Sequence, residues 1–167
     1  MKKNKKAKRA AVFGIMIALA FTLSYLESLL PLNIGVPGVK LGLANLVVVV
    51  ALYKLKPGEA FAIAMIRILL AGLTFGNTYS LVYSLCGGIL SFAVMALVKN
   101  TKLSVIGVSI IGGTMHNIGQ ISAAAVLMGT NKIIYYLPVL LIAGLLTGFL
   151  TGLLSKTIIE RIKVTGE

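Results

Sequence analysis

The sequence predicts an all-α, polytopic membrane protein, a bundle of six transmembrane helices, and three observations predict it. The 167 residues are 58% apolar with a mean hydropathy of +1.00. A soluble domain of this length has too much surface for its volume to hide that share. The apolar residues come in long blocks, which a bilayer absorbs. The basic residues fall between the blocks with a strong bias to one side.

The blocks and their breakers set the elements in order. Helix 1 is expected over about Ala10–Leu30, stopped by Pro31. Helix 2 covers about Leu41–Lys54 and is ended by Lys56-Pro57-Gly58. Helix 3 runs from about Glu59 to Leu73, before Gly76-Asn77. Helix 4 spans about Tyr79–Val98, before Lys99-Asn100. Helix 5 spans about Leu103–Met128, before Gly129-Thr130-Asn131. Helix 6 runs from about Ile133 to Leu154, with an amphipathic continuation to Lys163. Pro and Gly at these joints are the usual punctuation. The domain reading is a basic cytoplasmic tail over 1–9 and a single six-helix domain over 10–163. Helices 2 and 3 are short: about 15 residues reach roughly 22 Å, against a hydrocarbon core of about 30 Å. Either their ends face a cavity rather than lipid, or these boundaries cut them short. The basic start followed by an apolar run resembles a secretory leader. The run continues past Ala20 to Leu30, however, and the rest of the bundle needs a first helix.

Orientation follows from charge. Six basic residues lie in the N-terminal tail. Lys54 and Lys56, Lys99 and Lys102, and Lys156, Arg161 and Lys163 bring one side to thirteen. The other side has Lys40 and Lys132, and Arg67 is left inside the membrane. This predicts a multi-pass membrane protein with both termini in the cytoplasm. The formal charge of +12 points to anionic lipid as partner. Nucleic acid is not expected, because the aromatic-plus-basic strips that read single strands are missing.

Four Glu (27, 59, 160 and 167) and no Asp exclude the carboxylate cluster that Mg²⁺-assisted prenyl or phosphoryl transfer requires. No P-loop is present. One His and one Cys make no metal set. No catalytic residue, metal or cofactor is expected, and the chain is read as a non-enzyme.

What remains is polar chemistry inside the spans. A charge at mid-membrane costs about 2.5–3.5 kcal/mol on insertion scales and faces a cavity or a partner. Arg67 is such a charge. His116 and Gln120 share one face of helix 5, one turn apart, beside Asn117. Asn45 lies in the first turn of helix 2. Asn77 and Tyr79 precede or open helix 4, with Tyr83 one turn on. Glu27 ends helix 1. All are expected in the outer half, as a ligand pocket open to the outside requires. Lys40 and Arg67 suit an anionic group, and Asn45, Asn77, His116, Asn117 and Gln120 give directional hydrogen bonds. Tyr79 and Tyr83 suit a flat ring. Plainer roles stand beside these: an Arg67–Glu27 structural ion pair, interhelical glue from His116 and Gln120, and an aromatic belt at the interface. The apolar, Pro- and Gly-rich segment 31–42 is a lid over the pocket or an ordinary connector. Two small-residue ladders, Ala10/Gly14/Ala18 and Gly144/Gly148/Gly152, serve either packing inside the bundle or docking of another membrane subunit.

Three motifs carry a resemblance: Lys40-Leu41-Gly42-Leu43-Ala44-Asn45, Arg67-Ile68-Leu69-Leu70-Ala71-Gly72, and Gly112-Gly113-Thr114-Met115-His116-Asn117-Ile118-Gly119-Gln120. In this order the chain resembles the Gx transporter family, often labelled heptaprenyl diphosphate synthase component I. That family is similar to the substrate-binding S components of energy-coupling factor transporters. The resemblance implies six helices, an outward pocket for a small vitamin- or cofactor-like molecule, and a transmembrane coupling subunit with ATPases as partner. It also implies that the helix 1 ladder Ala10, Gly14 and Ala18 docks that subunit. The label itself implies the alternative, a noncatalytic membrane partner of a heptaprenyl diphosphate synthase in isoprenoid or menaquinone synthesis.

Overall fold

A computed structural model describes residues 2–30 and 41–162, the side chains of 2–5 and 131 excepted. Among these residues the chain forms six α-helices and no strand: α1 (Lys2–Leu29), α2 (Leu43–Lys54), α3 (Pro57–Thr74), α4 (Thr78–Val98), α5 (Val105–Met128) and α6 (Leu137–Arg161). A 3-10 turn, Asn131–Tyr136, leads into α6. The all-α helical bundle read from the sequence is the one observed.

The boundaries differ where local chemistry overrides hydropathy. The basic segment expected as a tail continues α1 from Lys2, because Lys and Arg are good helix formers and hydropathy says nothing about that. Helix 3 was drawn too short. Pro57 opens it rather than ending the joint before it, since a proline at the first helical position gives up only an N–H that is unpaired anyway. Glu59 accepts the Lys56 N–H at 3.2 Å and closes that start. Helix 6 begins four residues later than expected, with Pro138 in its first turn. Asn77 caps α4 by accepting the Ser80 N–H at 2.8 Å, and Ser104 caps α5 through the Gly107 N–H at 3.2 Å.

The helices run antiparallel in sequence order. α4 packs on α3 and α5, α5 on α4 and α6, and α6 returns to α2; α1 lies against α2 and α3. One end collects the basic residues. There Arg9 of α1 meets Glu59 of α3 at 2.7 Å, and the Lys99 ammonium donates to the Leu52 carbonyl at 3.0 Å. Lys99 thereby satisfies a carbonyl in the last turn of α2. Lys132 lies at the opposite end, in the turn before α6.

The core sits toward the basic end. Val47, Val48, Val49, Ala51 and Leu52 of α2 pack with Ala60, Ile63 and Ala64 of α3, Phe92 and Met95 of α4 and Val108 of α5. Helices α4, α5 and α6 are held by close backbone contact. A Cβ on Gly119 would lie 2.8 Å from the Gly87 Cα, and one on Gly148 would lie 2.7 Å from the Ile110 Cα. Across the same seam, the Ser109 and Thr151 hydroxyls are hydrogen-bonded at 3.0 Å. Small residues of this kind allow close helix packing where lipid offers no hydrophobic drive.

Among the described residues, four helical stretches are long and apolar enough to cross a membrane: Lys6–Leu29, Pro57–Thr74, Thr78–Val98 and Lys132–Arg161. α5 has the length, but His116, Asn117 and Gln120 make it polar, and it is flanked by α4 and α6. α2 has 12 residues, about 18 Å, and does not span a core of about 30 Å alone. The outward sides of the long helices carry Ile15, Leu73, Leu97, Ile142, Leu146 and Leu150, all exposed. The chain is a multi-pass membrane protein whose apolar faces meet lipid.

α2 starts on Gly42 in the left-handed region, φ 74°. A Cβ there would make ordinary contact with Thr151 Cγ2 at 3.7 Å and Asn45 Cβ at 3.9 Å, so the constraint is backbone strain and not a clash. Gly42→Ala is expected to cost about 1–2 kcal/mol, seen as a lowered unfolding temperature in detergent.

Candidate functional site

Two polar clusters form within the bundle. The first surrounds the start of α2. Glu27, half-buried, follows the buried Ala20 and Ser24 along one face of α1 and accepts the Gly42 N–H at 2.6 Å through Oε1. α2 and α3 form a tight hairpin. Arg67 is about ten residues into α3 and Ala44 about ten residues back into α2, which places Arg67 opposite the first turn of α2, with half-buried Asn45 next along. The Nε of Arg67 is buried and has no hydrogen-bond partner among the described residues. The negative charge of Glu27 acts on this guanidinium. The two do not close an ion pair, however. Among the described residues, the pairs within 4.0 Å are Arg9–Glu59 and Lys156–Glu160.

The second cluster lies where α4 crosses α5. A Cβ on Gly87 would meet the His116 carbonyl at 2.6 Å, Gln120 Cγ at 2.8 Å and His116 Nδ1 at 3.1 Å. The helix 5 pair therefore lies over this glycine, as their shared face requires. Tyr83 is one turn before Gly87 on the same face of α4. Its hydroxyl is buried without a hydrogen-bond partner among the described residues. The clusters are neighbours: Ile68, adjacent to Arg67, fills the space beside Gly88, adjacent to Gly87.

The remaining candidates are placed elsewhere. Asn117 donates from Nδ2 to the Leu140 carbonyl of α6, so its amide joins α5 to α6. Asn77 is occupied as the cap of α4. Tyr79 is 64% exposed and faces outward. Lys40 and the rest of residues 31–40, most of the lid or connector expected at 31–42, lie outside the described residues. Glu27 stands outside the ligand set expected from the sequence; its hydrogen bond to Gly42 spans 15 residues of chain, which residue spacing does not show.

Of the two ladders, Gly144, Gly148 and Gly152 are consumed by contact with Gly113, Ile110 and Ile106 of α5. Ala10, Gly14 and Ala18 remain exposed on α1, and a Cβ on Gly14 would meet nothing within 4 Å. A separate groove of about 490 Å³ opens on the outside of the α4–α5 seam, lined by Val82, Cys86, Leu90, Gly119, Val126 and Leu127. It is apolar and holds none of the charged residues. Among the described residues, no three His, Cys, Asp or Glu come together as a metal set.

No curated protein and no solved structure matches the chain. The family model described as heptaprenyl diphosphate synthase component I matches residues 16–158. That stretch runs from α1 to the last turns of α6 and includes both polar clusters. On this match, the chain belongs to the heptaprenyl diphosphate synthase component I family.

Proposed function

We propose that the chain is a noncatalytic, substrate-binding membrane subunit of an uptake system for a small anionic or aromatic molecule. It lies in a bacterial cell membrane with both termini in the cytoplasm. One observation carries the reading: the buried Arg67 Nε and Tyr83 hydroxyl, on neighbouring helices, have no partner among the described residues. Buried polar groups are normally hydrogen-bonded, and leaving one unmade costs about 1–3 kcal/mol, more for a charge. A bound ligand resolves that cost. Arg67, with Lys40, takes the acid group; Asn45, His116 and Gln120 supply directional contacts; and Tyr83 offers its hydroxyl and ring face.

The chain has no nucleotide site of its own, so transport takes energy from a partner. The free ladder Ala10, Gly14 and Ala18 is the face for a transmembrane coupling subunit with ATPases. Gly14→Leu is expected to leave folding unchanged, because nothing occupies the space, and to abolish co-purification of that subunit.

The family description favours a second reading, a noncatalytic membrane partner of a soluble prenyl diphosphate synthase. Native mass spectrometry of protein extracted gently from its own cells separates the two. A retained small molecule supports the uptake subunit. An empty chain that carries a soluble synthase replaces it with the second reading.

A further inference from the structure

Helices α1 and α3 carry two Arg–Glu couples, and only one is closed. At the basic end, Arg9 Nε and a terminal nitrogen each reach a Glu59 oxygen at 2.7 Å, the two-pronged geometry that guanidinium and carboxylate favour. That couple is exposed, where such pairs contribute little. Glu27 and Arg67 carry the same charges on the same two helices, with the helices exchanged. They are half-buried, where attraction is stronger than on the surface, yet they do not close on each other. Among the described residues Glu27 uses Oε1 on the Gly42 N–H, and one such bond leaves most of a carboxylate's acceptor capacity unspent. Arg67 keeps a buried Nε–H unspent. Opposite charges held apart across the first turn of α2, both with free hydrogen-bonding capacity, suit a molecule that bridges them.

We propose that Arg67 and Glu27 are the two poles of the ligand site, and that the ligand is amphoteric, bearing an acid group for Arg67 and an N–H, O–H or ammonium donor for Glu27. This rests on the reading of the chain as a ligand-binding subunit. It adds that Glu27 sets specificity. A diphosphate drawn to Arg67 meets the Glu27 carboxylate, and like charges brought together repel. The site therefore rejects diphosphates, including prenyl diphosphates.

The test uses inorganic pyrophosphate as probe, titrated calorimetrically into the full chain in detergent. Glu27→Gln keeps an amide oxygen for the Gly42 N–H and removes only the charge. It is expected to bind pyrophosphate at least tenfold more tightly than wild type does, and the gain is expected to vanish in Glu27→Gln/Arg67→Ala. Equal binding by wild type and Glu27→Gln overturns the proposal. Should Glu27→Gln not fold, the wild-type chain decides. Its retained molecule must ionise in both positive and negative mode after release, and one lacking either an acid or a donor, or carrying a diphosphate, sinks the idea. The outcomes are distinguishable: a wild-type chain that retains no molecule counts against the uptake reading, whereas a flat titration counts against the two-pole site alone.

Discussion

Arg67→Ala is expected to empty the protein. The ligand's acid group loses its charged donor inside the bundle. Truncating one partner of a buried, hydrogen-bonded charge pair costs about 2–5 kcal/mol. Taking about 3 kcal/mol, retention or uptake falls by roughly two orders of magnitude. Arg67→Lys keeps the charge but loses the planar fork that meets an acid group with two parallel bonds, so it should recover only part of the affinity. The measurement is ligand mass and uptake rate, with elution volume in detergent as the control for folding. Removing a buried charge that lacks a protein hydrogen bond at Nε is not expected to destabilise the empty chain, and Arg67→Ala should unfold at or above the wild-type temperature once ligand is stripped from both. Unchanged uptake by a folded Arg67→Ala protein removes the basis for the binding reading.

Gly119→Leu is expected to do the reverse and destroy the fold before it touches the ligand. Even a Cβ on Gly119 would stand 2.8 Å from the Gly87 Cα and 2.9 Å from the Cys86 carbonyl oxygen. Both are backbone atoms and cannot swing aside. Leucine drives α4 from α5 along the seam that also holds His116 and Gln120 over Gly87. Overpacking costs about 1–3 kcal/mol where side chains can adjust; here a helix must move, so the loss should exceed that range. The expected result is little monomeric protein in mild detergent. Gly14→Leu, the same change on the exposed face of α1, should express normally. Equal behaviour of the two would mean that the α4–α5 contact is not what holds the bundle.

The sequence alone determined the class of this protein. Blocks of apolar residues, their Pro and Gly breakers and the basic bias are local features, and they gave six helices, a membrane setting and Arg67 as an interior charge. Hydropathy misplaced the ends of helices 1, 3 and 6, because it does not register that lysines extend a helix or that proline fits its first turn. The pairing of His116 with Gln120 was legible too, since positions four apart share a face. Which polar residues meet, and which are already occupied, was decided only by the tertiary structure. Asn117 is taken by the Leu140 carbonyl and Asn77 by its own helix start. The α6 glycines are taken by α5, while the α1 ladder stays open. Glu27 is brought to Gly42 and held short of Arg67 by the way α1, α2 and α3 converge. Those outcomes depend on helix register and crossing, set by contacts between residues far apart in the chain, and one-dimensional spacing carries no record of them.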